Sequence, residues 1–165
     1  MVDIVSAEGI KKKIDCIGCA LQRGEIKCIG EIVAETDHFE VQQDYEIPIP
    51  GFMILASKKH LKGIGDFSEQ ERKEYIDFLF TIRTAMTKAL HVDYVYIIQE
   101  EDTISESSHF HVWLFPRYEW MNEFGRGIKS VKPIMEHARK HMKTKEDLAK
   151  VKEAAITIKK YIAKS

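Results

Sequence analysis

Residues 105–117 read Ser-Glu-Ser-Ser-His-Phe-His-Val-Trp-Leu-Phe-Pro-Arg. Successive side chains of a β-strand point to opposite faces, so His109, His111, Trp113 and Phe115 share one face and Phe110, Val112 and Leu114 the other. One face carries two imidazoles; the other is plain core. Imidazole suits metal ligation, proton transfer and nucleophilic attack near neutral pH, and two of them a strand-repeat apart can divide those tasks. A hairpin strand with two incidental histidines explains the stretch equally well, and the rest of the chain has to decide.

With 165 residues, 44% of them hydrophobic, the chain is long enough for one sizeable core and short for two. A single domain over 1–165 is expected. Lys+Arg 25 against Asp+Glu 26 gives a net charge of −1, so no global field recruits a nucleic-acid polymer or an anionic membrane. A polyanionic substrate needs a local site. No apolar run reaches membrane-spanning length and Met1–Lys13 is polar, which reads as a cytoplasmic protein. Three cysteines, two of them in Cys16-Ile-Gly-Cys19, point to metal or redox chemistry rather than a disulfide framework.

Val5–Lys13 reads as a short helix and Asp15–Gly24 as a compact turn holding the Cys-x-x-Cys. Glu31–Glu35 and His38–Gln43 form a hairpin about Thr36-Asp37. Pro48, Pro50 and Gly51 make Asp44–Gly51 an ordered loop, and the apolar run Phe52–Ala56 is a strand covered on both faces. Ser68-Glu-Gln-Glu71 is a capping box, behind which Tyr75, Ile76, Leu79, Ile82, Met86 and Leu90 recur at helical spacing. Tyr94–Gln99 is a fourth strand, Glu100–Ser108 a polar loop and the histidine stretch a fifth strand stopped by Pro116. Gly125, Gly127 and Ser130 give a flexible connection to two helices, Ser130–His141 and Thr144–Ala163; the second carries the seam Leu148, Val151, Ala155, Ile158 and Ile162.

Cys16 and Cys19 offer two soft ligands from one turn, and zinc needs two more N or S donors from among His38, His60, His91, His109, His137 and His141. His60 and His109, at strand ends, are the two placed to meet the cysteine turn. Thioredoxin-like redox chemistry is the rival, but its βαβ context is missing. His137 and His141 lie four apart on a Lys/Arg-rich helix, which reads as a solvated face.

The order of parts resembles the histidine-triad superfamily of nucleotide hydrolases and transferases. The resemblance runs over about 15–117: Cys-Ile-Gly-Cys followed by Gly24-Glu-Ile26, then Pro50-Gly-Phe-Met-Ile-Leu-Ala-Ser-Lys-Lys-His60, then His109-Phe-His-Val-Trp-Leu-Phe-Pro-Arg117. It implies an α+β fold, an antiparallel sheet of about five strands with a packed helix, here with a C-terminal helical extension over about 128–165. It implies a homodimer, and structural zinc on Cys16, Cys19, His60 and His109.

Through the same resemblance His111 falls on the nucleophile that attacks an α-phosphorus and becomes a nucleotidyl-histidine. Asp44 falls on the carboxylate that holds ribose hydroxyls, and Gln99 more loosely on an amide that contacts phosphate. Ser107, Ser108 and Arg117 are the nearby donors for phosphate charge. Trp113 stands where the family has its third histidine, and an indole donates one N–H but accepts no proton. The substrates implied are dinucleoside polyphosphates or nucleoside phosphoramidates. A catalytically silent, nucleotide-binding regulatory protein is the alternative, and a zinc-stabilised interaction scaffold a third reading.

Overall fold

The computed structural model describes residues 1–102 and 104–164; of the expected loop Glu100–Ser108, residue 103 lies outside the described residues. Five strands form one antiparallel sheet: β3 (Ile32–Glu35), β4 (Phe39–Gln43), β5 (Met53–Ser57), β6 (Val95–Gln99) and β7 (His111–Pro116), in spatial order β3-β4-β5-β7-β6. Ala56 of β5 stands opposite His111, and Ile54 opposite Trp113. With its helices, the architecture is α+β.

The expected N-terminal helix is instead a hairpin, β1 (Val2–Val5) with β2 (Lys11–Ile14). Gly9, at φ +84°, turns the chain, and the Ser6 amide donates to Ile10 O. Ile4 and Ile14 then fall on one face and pack with Ala20, Ile26, Cys28 and Tyr45. The period there is two, and the lysine run 11–13 hid it. A six-residue helix, α1 (Ile17–Gln22), follows.

Helix α2 (Glu69–Leu90) starts at the expected capping box: Ser68 Oγ accepts from Glu71 N at 3.2 Å, and the Glu71 carboxylate accepts from Ser68 N at 2.7 Å. It buries Tyr75, Phe78, Ile82 and Met86 against Phe39, Val41, Val112 and Leu114. Ile76, expected on that stripe, is 59% exposed instead. Helix α4 (Lys145–Ile162) joins the same face through Ala155 and Ile158.

The other face of the sheet receives Phe52 and Phe115, covered by α3 (Val131–His141) through Val131, Ile134 and Ala138. The connection between β7 and α3 is ordered rather than flexible, as two 3₁₀ turns wrapped around the Arg117 side chain. No helix among the described residues is long and apolar enough to cross a membrane.

Candidate functional site

Cys16 caps α1, its Sγ accepting from the Cys19 amide at 3.5 Å, so one turn aims both thiols to the same side. His109 enters from the segment just before β7. Its approach requires Gly18, because a Cβ there would lie 2.5 Å from the imidazole. The ring is oriented from behind: Nε2–H donates to Ser57 O at 2.7 Å, leaving Nδ1 toward the thiols, 3.4 Å from Cys16 Sγ and 3.7 Å from Cys19 Sγ. His60 Nδ1 lies 3.1 Å from Cys19 Sγ.

The four donor atoms lie within 4.8 Å of one another. Zinc bonds of about 2.3 Å to sulfur and about 2.0 Å to nitrogen, at tetrahedral angles, put donors about 3.4–3.8 Å apart. The cluster has the donor set of a tetrahedral zinc site and is close to the size that such an ion requires.

The thiols are already unequal. Burial alone raises Cys16, but hydrogen bonds from His109 and the Cys19 amide outweigh it and draw the thiol down to about 6. Burial and the neighbouring Cys16 push Cys19 up to about 11. One thiolate facing an imidazole is the charge pattern a divalent cation completes.

The carbonyl of His109 accepts from His111 Nδ1 at 2.9 Å. A carbonyl only accepts, so Nδ1 carries the proton and Nε2 of the neutral ring keeps its lone pair. Nε2 has no hydrogen-bond partner among the described residues. His111 is half-buried and lines a cavity of about 360 Å³, together with Trp113, Ala56 and Ile54 of the sheet face. Trp113 packs edge-on against Phe52, ring centroids 5.8 Å apart.

Asp44, Ser107 and Ser108 line this cavity as well. Asp44 Oδ1 accepts from the amides of Glu46 at 2.9 Å and Ile47 at 2.6 Å, which makes the turn entering the proline loop. Oδ2 has no partner among the described residues. Burial drives the Asp44 carboxyl up to about 6 against the pull of those two amides. Val2, Ile17, Leu21 and Cys28 make one end of the cavity apolar.

Two expected residues lie elsewhere. Gln99 stands opposite Val112, which puts it on the α2 face of the sheet; it accepts from Tyr75 OH at 3.2 Å and stays behind the cavity floor. Arg117 lies at the far end of β7, 9% exposed, with its guanidinium held by Ser130 Oγ, Met121 O, Asn122 Oδ1 and Gly125 O. It borders a second, larger opening of about 570 Å³ with His91, Tyr96 and Arg126, away from His111. Both residues close strands, and strand ends alone do not say which face or which end a side chain serves.

Other cavity residues went unnoticed in the sequence. Arg139 of α3 lines the rim and pairs with Glu46 at 2.9 Å. Gln42, 5% exposed, lies on the floor. Gln42 alternates with apolar Val41 and so reads as solvent-facing; Arg139 hides in a basic helix.

The fold is that of histidine-triad proteins. A zinc-bound histidine-triad family protein from Mycobacterium smegmatis superposes with a TM-score of 0.62 at 18% identity, covering 90% of this chain and 94% of that one. A hypothetical histidine-triad nucleotide-binding protein from Sulfolobus tokodaii gives 0.64 at 18% identity, over 90% and 93%. A HIT-like protein involved in cell-cycle regulation from Bartonella henselae gives 0.55 at 23% identity, over 84% and 95%. No protein-family model matches the sequence, and no curated protein matches it.

Proposed function

We propose that this chain is a zinc-containing nucleotide hydrolase or nucleotidyltransferase of the histidine-triad family, acting at an α-phosphorus through nucleotidyl-His111. The observation that carries the reading is the bond from His111 Nδ1 to His109 O, which leaves Nε2 as a free nucleophile in a cavity holding Asp44. Nε2 attacks phosphorus, the N–P bond forms, and the P–O bond to the leaving group breaks with its electron pair on that oxygen. The ring's positive charge is met by the His109 carbonyl. Water, or a second nucleophile, then displaces the histidine: the N–P bond breaks with its electron pair returning to Nε2, which restores the neutral ring, and the nucleophile's proton leaves to solvent.

Asp44 Oδ2 accepts the ribose hydroxyls, and Ser107 and Ser108 at the rim donate to phosphate oxygens. Zinc on Cys16, Cys19, His60 and His109 neutralises thiolate charge and ties the segment before β7 to α1. Trp113 supplies no proton to a leaving group. Phosphate leaving groups, stable as anions, therefore suit this site better than the amine of a phosphoramidate.

Intact mass after mixing with a dinucleoside polyphosphate tests the reading. An added nucleotidyl mass supports it; nucleotide binding without adduct or turnover would favour the silent regulatory protein instead. Native mass on the same sample reads the expected homodimer, which would use the free edge β6 and the exposed Ile76, Phe80 and Ile97. A monomer would remove that part.

Asp44 adds a pH dependence. Its carboxyl is ionised above about 6 and protonated below, so the acceptor for ribose is lost as pH falls through that value. A nucleoside monophosphate should bind wild type about 10–100-fold more tightly than Asp44→Asn at pH 7.5, with the ratio shrinking toward one by pH 5. Comparing the two proteins cancels the titration of the ligand's own phosphate. A constant ratio across that range would exclude Asp44 from the ribose contact.

A further inference from the structure

On the cavity side of the sheet lie two buried polar side chains that neither the metal cluster nor the nucleophile uses: Gln42, which lines the floor, and Glu40 beside it. Glu40 and Gln42 alternate along β4 with Phe39 and Val41, which face α2, so both side chains lie on the cavity side of the sheet. They are 4% and 5% exposed. Gln42 stands opposite Ile54, the neighbour of Trp113 in the next strand pair. It sits between Glu40 and Asp44, toward the apolar end where Cys28 lies close enough to feel both carboxylates.

Gln42 Nε2 donates to Glu40 Oε1 at 3.0 Å. A carboxylate only accepts, so the bond fixes which end of the amide faces Glu40. The carbonyl oxygen Oε1 is left over, and no described residue donates to it. Its neighbour Gln43 shows the contrast: Nε2 donates to Ile49 O at 2.9 Å and Oε1 accepts from Gly51 N at 3.1 Å, so that amide is spent on the proline loop. Both amides line the cavity, but only Gln42 keeps an acceptor unspent. That oxygen is open to the cavity, since no buried side-chain polar atom among the described residues lacks a partner, and a ligand that brings an N–H to it gains what an analogue without one forfeits.

We infer that Gln42, locked by Glu40, is the specificity-determining residue for the base: its carbonyl selects a nucleotide whose base carries an exocyclic amine. The inference rests on the nucleotide reading above, with phosphate at His111, ribose at Asp44 and the base at the apolar end. Glu40 is a positioning residue, since it acts only through the amide it orients.

Two ligand pairs isolate the amine: AMP against purine riboside 5′-monophosphate, and GMP against IMP. Calorimetric titration of the unmodified protein should show at least one amino-bearing member binding about tenfold or more tightly than its partner. Gln42→Leu should bring that ratio to about one while the amine-free ligand keeps its affinity. Glu40→Gln, which can donate as well as accept, releases the amide to turn over and should lower the ratio by improving the amine-free ligand. Equal affinities within both pairs for the unmodified protein would overturn the inference and leave nucleotide binding standing. Failure of all four to bind would overturn the nucleotide reading itself, and this inference with it.

Discussion

His111→Ala is expected to lower turnover of a dinucleoside polyphosphate by at least about 10⁴-fold and to abolish the nucleotidyl adduct, while nucleoside monophosphate binding changes little. The reason is local. Nε2 is the ring nitrogen that keeps its lone pair before the cavity through a fixed tautomer; Cys16 also lines the cavity with its thiol drawn down to about 6, but as a zinc ligand it would not be free to attack. Cys28 lines the cavity, but burial and the charges of Asp44 and Glu40 push its thiol up, so it stays protonated and unreactive. The serine hydroxyls at the rim have no base beside them. His111 is half-buried rather than core, so its truncation should shift thermal stability by about 1 kcal/mol or less. Retained turnover in a folded His111→Ala protein would place the nucleophile elsewhere and end the proposed mechanism. Lost binding together with lost turnover would instead make His111 a ligand contact, as the silent-binder reading requires.

What the sequence made legible divides by the kind of signal. Alternation at 109–115 is legible because the two faces carry large residues of distinct type, imidazole and indole on one and branched aliphatics with Phe110 on the other. The capping box set the start of α2 to the residue, since two reciprocal hydrogen bonds demand two specific side chains three apart. The cysteine turn and its two histidines are legible from spacing and position at strand ends, and the fold brings those four together.

The misreadings have physical causes too. Lys11–Lys13 gives an apparent polar face to whatever structure carries it, so the hairpin period vanished and Val5–Lys13 read as a helix. Ile76 has helical spacing but lies on the side of α2 left exposed. Arg117 follows the histidine strand and reads as a phosphate donor, yet a buried guanidinium finds its acceptors in the nearest carbonyls, and these belong to the next turn. Buried polar groups such as Gln42 and the Glu40 it donates to defeat pattern reading most thoroughly: in a strand, polar alternation signals water, and here it signals a cavity floor and its support.

Removing zinc is expected to lower Tm by about 10 °C. Binding that favours the folded state about 1,000-fold over the free-metal condition stabilises it by about 4 kcal/mol, and 1 kcal/mol shifts a domain of this size by about 2–4 °C. Cys16→Ser should show the same fall, with metal content dropping from one ion per chain to well below one. Chelated wild type and chelated Cys16→Ser should melt within a degree or two of each other, because without the ion the variant loses only one buried sulfur contact. Gly18→Ala should reach a similar state with all four ligands intact, since its Cβ would displace the His109 ring. A protein whose Tm ignores chelator but falls with reductant would carry a Cys16–Cys19 redox pair instead, and the zinc proposal would fail. The ion would also reach the chemistry: His109 would bind it through Nδ1, and its own carbonyl holds His111 Nδ1–H. Releasing the ion frees His109, loosens the tautomer lock on His111, and should lower turnover before the sheet itself unfolds.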